Sequence, residues 1–101
     1  VRMPVNNKCT VTFKGGADVY EGTMVNISAN GFAFQTRETE FADCKGENII
    51  VKVPDFPVEQ GRVLEGTIIR STDNDGSHIV GCRMPGDRIE IGNYVSKNYS
   101  E

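Results

Sequence analysis

The stretch Val19-Tyr20-Glu21-Gly22-Thr23-Met24-Val25-Asn26-Ile27-Ser28-Ala29-Asn30-Gly31-Phe32-Ala33-Phe34-Gln35-Thr36 decides the fold. It reads as two strands, Val19 to Val25 and Gly31 to Thr36, joined by a polar turn rich in Asn, Ser and Gly. Phe32 and Phe34 fall on one face of the second strand, as expected of a half-buried sheet.

Working outward, the same alternation continues. Cys9, Val11 and Phe13 share one face of a preceding strand, with Thr10, Thr12 and Lys14 on the other. Gly15-Gly16-Ala17-Asp18 supplies the turn of a hairpin. Arg37 to Asn48 loses periodicity and gains charge, which predicts a loop. Ile49 to Val53 is a fourth strand, closed by Pro54 and Pro57, since proline cannot donate to a ladder. Arg62 to Ser71 and Ser77 to Met84 form a hairpin around Asp73-Asn74-Asp75-Gly76. At the end, Asp87 with Glu90 three residues on resembles a capping box, and Ile91, Tyr94, Val95 and Tyr99 follow helical spacing. The expectation is an all-β, six-stranded antiparallel barrel with a short C-terminal α-helix over residues 87–99. Residues 1–6 form an arm, residues 7–84 the barrel, and residues 1–101 one domain.

Bulk properties exclude several functions. Net charge is -3 over 101 residues, which argues against gripping DNA or RNA through phosphate neutralisation. It leaves room for a small anion, because one or two arginines suffice for that. A single-stranded nucleic-acid barrel would need aromatics interleaved with basic residues on an exposed face. Phe13, Phe32 and Phe34 stand at core-like positions instead. The apolar runs are only a few residues long, so no segment inserts in a membrane, and nothing resembles a signal peptide. A start at Val1 suggests a domain excised from a larger protein. Cys9, Cys44 and Cys82 are odd in number and widely spaced, which fits free thiols, buried or on the surface, in a reducing cytoplasm.

Catalytic sets are missing, so the chain is read as a binding domain and not an enzyme, without cofactor or metal. His78 is the one histidine and sits beside a turn. Asp73 and Asp75 imitate the start of a calcium loop, yet Cys82 stands where the bidentate Glu belongs. Asn26-Ile27-Ser28 and Asn98-Tyr99-Ser100 match a glycosylation triplet, a pattern common by chance.

Two features have binding chemistry. The turn from Asn26 to Gly31 offers an amide, the Ser28 hydroxyl and backbone N–H groups. Gly31 would allow a ligand to approach closely or take a positive φ. An ordinary polar turn uses the same residues. Arg2, ahead of the first strand and beside Pro4, can present its planar fork to a phosphate or to a guanine edge.

In this order and spacing, Arg2, the Asn26-x-Ser28-x-x-Gly31 turn, Phe32 and Phe34, the Gly66–Arg70 and Ile79–Met84 strands and the terminal helix resemble a PilZ domain. That family is characterised by an RxxxR segment before the first strand and a [D/N]xSxxG turn after the second. The resemblance implies a six-stranded barrel that binds the bacterial second messenger cyclic di-GMP. By that resemblance Arg2 is the second arginine of RxxxR and contacts phosphate or guanine. Asn26 and Ser28 bond a guanine edge, Gly31 shapes the turn, and Arg70 is a further candidate on a nearby strand. The first arginine would fall three positions before Val1. The expectation is therefore that this chain binds cyclic di-GMP weakly or not at all, whereas a longer parent binds it. Ligand would order a mobile arm over the barrel rim and signal to an adjoining domain or a protein partner. Chemoreceptors, flagellar brake proteins of motility and cellulose-synthase-like enzymes carry such modules. The expected location is the bacterial cytoplasm, or the cytoplasmic part of a membrane-associated protein. The alternative is a PilZ-like adaptor that docks a protein and binds no nucleotide.

Overall fold

The structure is a computed structural model, and it describes residues 1–99. Its strands are β1 (Met3–Pro4), β2 (Lys8–Phe13), β3 (Tyr20–Ile27), β4 (Gly31–Thr36), β5 (Asn48–Lys52), β6 (Val63–Asn74) and β7 (Ser77–Arg83), followed by helix α1 (Ile89–Asn98). The order β3-β2-β5-β6-β7-β4 closes through an extra β3–β4 pairing, and every pairing is antiparallel. Six strands thus form the barrel, as the alternation predicts.

Each strand turns one face inward. Val11, Met24, Phe32, Phe34, Ile49, Val51, Leu64, Ile68, Val80 and Cys82 are essentially buried and fill the interior. Burying side chains of this size stabilises the fold by about 1.5–3 kcal/mol each, before the cost of ordering them.

The two ends of the barrel are stoppered differently. One is closed by Phe41, on a 3-10 turn (Thr39–Phe41) inside the segment that the sequence reads as a plain loop. Its ring stacks on Phe13 at 4.9 Å and meets Tyr20 and Phe34 edge-on at 5.5 Å. A lone aromatic in an aperiodic charged stretch has no sequence pattern to reveal it. The other end carries α1, with Ile91 and Val95 buried and Tyr94 edge-on to Phe56 at 5.7 Å.

Several boundaries differ from the sequence reading, for local reasons. β6 runs on to Asn74, and only Asp75 (φ 51) and Gly76 (φ 88) form the turn. Two successive positive φ values are the geometry of a two-residue hairpin turn, which suits Asp-Gly. Asp87 does not cap the helix. Its N-cap is Arg88, without a side-chain bond, and the Gln60 Oε1 accepts from Glu90 N (2.9 Å) and Ile91 N (3.2 Å) instead. A residue about thirty positions away (31 for Ile91) does the capping. The Asn98-Tyr99-Ser100 triplet extends outside the described residues.

The N-terminal arm adds a short strand to the edge of β3. Met3 and Pro4 pair with Ile27 and Asn26, and Val5 N donates to Val25 O at 2.9 Å. The physical reason is that β2 covers β3 only from Tyr20 to Thr23, leaving the rest of that edge for the arm to occupy. Met3 is buried as a result.

Candidate functional site

The pairing of β1 with β3 brings Arg2 beside Asn26. Arg2 Nη1 donates to Asn26 Oδ1 at 2.9 Å. The same guanidinium stands over Gly31: a β-carbon on that glycine would lie 2.8 Å from Arg2 Nη2 and 2.8 Å from the Cys82 carbonyl oxygen. Gly31 is not among the residues with positive φ, so its role is the close approach and not an unusual backbone. Arg2, Asn26 and Gly31 are therefore one constellation.

Ser28 belongs to the same turn but faces inward. It is 5% exposed, and its Oγ bonds to Asn30 Oδ1 (3.1 Å) and Gly31 O (3.2 Å), while its N–H also meets Gly31 O at 2.8 Å. These bonds lock the turn and set the height of Gly31 and Asn26. Outside the turn, Met84 N donates to Asn30 O (2.9 Å) and Arg88 N to Ala29 O (2.7 Å). Gly92 of α1 packs on Ala29, with room for a β-carbon only at 3.1 Å. The turn is thus held on one side by its own serine and on the other by the approach to the helix.

Arg70 lies apart from Arg2 but on the same outer surface. The register runs Asn26–Ala33–Gly81–Arg70 across β3, β4, β7 and β6. Three inter-strand steps of about 4.8 Å separate the ends of that row. The Arg70 side chain covers Gly81, where a β-carbon would meet its Cγ, Nε and Cζ at 3.1–3.2 Å. Gly31, Ala33 and Gly81 make a floor of small residues between the two arginines. All three are buried, Ala33 at 2% exposure, with the Arg2 side chain over Gly31 and the Arg70 side chain over Gly81.

Sequence reasoning missed one residue here. Arg83 is exposed, and it pairs directly with Gly31. Alternation within Ile79–Arg83 was the available signal, because it places Arg83 on the face of Gly81 and opposite Cys82. Directly beneath this surface, burial raises the thiol pKa of Cys82, with Cys44 adding to the rise and the charge of Arg2 opposing it.

Other concavities carry different chemistry. A groove of about 550 Å³ sets Lys8 and Arg37 against Glu21 and Glu38, so its charges balance. Among the described residues no group of three or more His, Cys, Asp or Glu could hold a metal ion. Among the described residues no helix is long and apolar enough to cross a membrane.

No curated protein matches the sequence. Two solved structures share the fold: MrkH of K. pneumonia in its apo state (15% identity, TM-score 0.57) and PlzA of Borreliella burgdorferi in complex with c-di-GMP (12% identity, TM-score 0.57). The alignments cover 96% and 99% of this chain but 47% and 53% of those proteins, so it spans about half their length. The PilZ domain profile matches residues 1–97, the span that includes the arm, the closed barrel and nearly all of α1. With that match over almost its whole length, the chain belongs to the PilZ domain family.

Proposed function

We propose that this chain is a cyclic di-GMP receptor module whose ligand lies against the arginine side chains that cover Gly31 and Gly81. The observation that carries the reading is the Arg2–Asn26–Gly31 constellation. Arg2 is anchored at one nitrogen by Asn26 and leaves the rest of its fork available for a phosphate or the O6/N7 edge of guanine. Asn26 keeps its Nδ2 donor, Ser28 fixes the turn and Arg70 flanks the far side, where its guanidinium plane is placed to stack on a base. PlzA, of the same fold, is known in complex with c-di-GMP, which supports the ligand class.

Binding does no covalent chemistry and needs no cofactor; the module acts as a receptor and not an enzyme. Its output runs to an adjoining domain or protein partner. The route suggested by the contacts starts at Ala29 and Asn30, whose carbonyls hold Arg88 and Met84 at the foot of α1. A receptor of this kind works in the bacterial cytoplasm or on the cytoplasmic part of a membrane-associated protein.

The test is titration calorimetry with cyclic di-GMP on two forms, the 101-residue chain and the same chain with Arg-Ala-Ala added ahead of Val1. Added in that way, an arginine stands four positions before Arg2 and completes RxxxR. Saturable binding by the extended form, abolished by Arg2→Ala, is expected. No binding by either form contradicts the proposal and favours the adaptor reading.

A further inference from the structure

We infer that Arg83 is a third cationic anchor of this surface, placed to hold the phosphate of a cyclic dinucleotide that Arg2 does not reach. The inference rests on the proposed ligand and assigns a residue outside the arm and the Asn26–Gly31 turn.

Arg83 stands opposite Gly31 on β7 and opposite Thr67 on β6. Directly paired residues of an antiparallel ladder point to the same side, with Cα atoms about 4.5–5.5 Å apart. Arg2 reaches Gly31 from the β3 side, where Asn26 holds it. Arg83 rises beside the same glycine from the β7 side. Arg2 and Arg83 thus approach one glycine from its two neighbouring strands.

Among the described residues no carboxylate forms an ion pair with Arg83. The same-face neighbours one and two positions away are Gly31, Ala33, Gly81 and Thr67, none of them acidic. Glu65, two residues along from Thr67, is the closest carboxylate in the register, and it is engaged by Lys14 at 3.8 Å. Among the described residues that is the only ion pair. An exposed, carboxylate-free arginine is a solvated surface charge in most settings. Here it shares a glycine with a second arginine, on the outer face of a chain whose net charge is -3. Beyond it runs a shallow groove of about 250 Å³ lined by Lys14, Asn48, Glu65, Thr67, Arg83 and Pro85, among others, in which Lys14 takes up Glu65.

A cyclic dinucleotide carries two phosphodiesters joined through a rigid ring. When one is held by the arm, the other must lie at a fixed separation, so it requires its own donor. A planar fork suits it, since an arginine meets two phosphate oxygens at once.

The test titrates cyclic di-GMP into the 101-residue chain and its Arg-Ala-Ala-extended form, following NMR shifts so that weak binding is read. Arg83→Ala is expected to raise Kd on the order of tenfold or more, and Arg83→Lys by an intermediate factor, because charge remains while the fork is lost. Arg37→Ala removes the same charge from the balanced groove and should leave Kd unchanged within about twofold. If both alanine variants shift Kd equally, or neither does, while the unsubstituted protein binds, the Arg83 inference is overturned and the receptor reading stands. Absence of binding by both unsubstituted forms overturns the receptor reading, and this inference with it.

Discussion

The Arg2 guanidinium packs over Gly31 so closely that a β-carbon there would lie 2.8 Å from its Nη2. The bare glycine of the turn lets the guanidinium of the arm come this close, although 29 positions separate the two in the chain. Their relation explains why a polar turn and an N-terminal arginine, each ordinary alone, make one surface.

Gly31→Ala should destabilise the barrel and displace Arg2. The new methyl would meet the Cys82 carbonyl oxygen at 2.8 Å as well as the flexible arginine, and backbone yields less readily than a side-chain tip. Overpacking of this kind costs about 1–3 kcal/mol. Urea denaturation should show a lower midpoint with an unchanged slope, and Arg2→Ala in the same protein should recover only part of the loss.

Completing the arginine pair should tighten binding. One added charge-assisted fork contributes about 1.5–3 kcal/mol, so the Arg-Ala-Ala extension is expected to lower Kd roughly 10- to 100-fold. Calorimetry on both lengths reads this directly. Equal and tight affinities would show that the arm needs only Arg2.

Phe41→Ala should be among the most damaging single changes in the molecule. Its fully buried ring touches Phe13, Tyr20 and Phe34 and closes one end of the barrel. Truncating a buried aromatic costs about 3–5 kcal/mol, a large share of a small domain's stability. Thermal unfolding should move down accordingly.

Alkaline pH should weaken the fold through its thiols. Burial pushes Cys9 from 9.0 up to about 12. The folded protein keeps this proton where the unfolded chain loses it. The contribution is thus complete below pH 9 and declines as pH rises from there towards 12. Cys9→Ala should flatten the fall in urea midpoint between about pH 9 and 11, compared with the unsubstituted protein. The native thiols should also resist alkylation at pH 8, because all three cysteines are buried and each pKa is raised.

Much of the barrel was legible in the sequence because closed antiparallel sheets write their faces in alternation. Phe32 and Phe34 point inward as the pattern predicts, and Ile91 and Val95 bury the helical stripe. What escaped depends on distant partners. Gln60 caps α1 from a separate loop, and Phe41 plugs the barrel from a stretch without period. The arm's pairing with β3 could be foreseen only by knowing that β2 leaves part of that edge open. For the site, the turn and Arg2 were visible as residue types, but their contact was not. The inward bonds of Ser28 could not be read either, since its hydroxyl suits a ligand and a turn equally well. Arg83 was passed over because it read as one more strand residue of the closing hairpin.

The measurement closest to the central claim is a residue-resolved NMR titration of the 15N-labelled, Arg-Ala-Ala-extended chain with cyclic di-GMP. The account predicts saturable shifts concentrated at Arg2, Asn26 to Gly31, Ala33, Gly81 and the flanking arginines, with the Lys8–Glu21–Arg37 groove undisturbed. Shifts confined to that groove, or none at millimolar ligand, would contradict it.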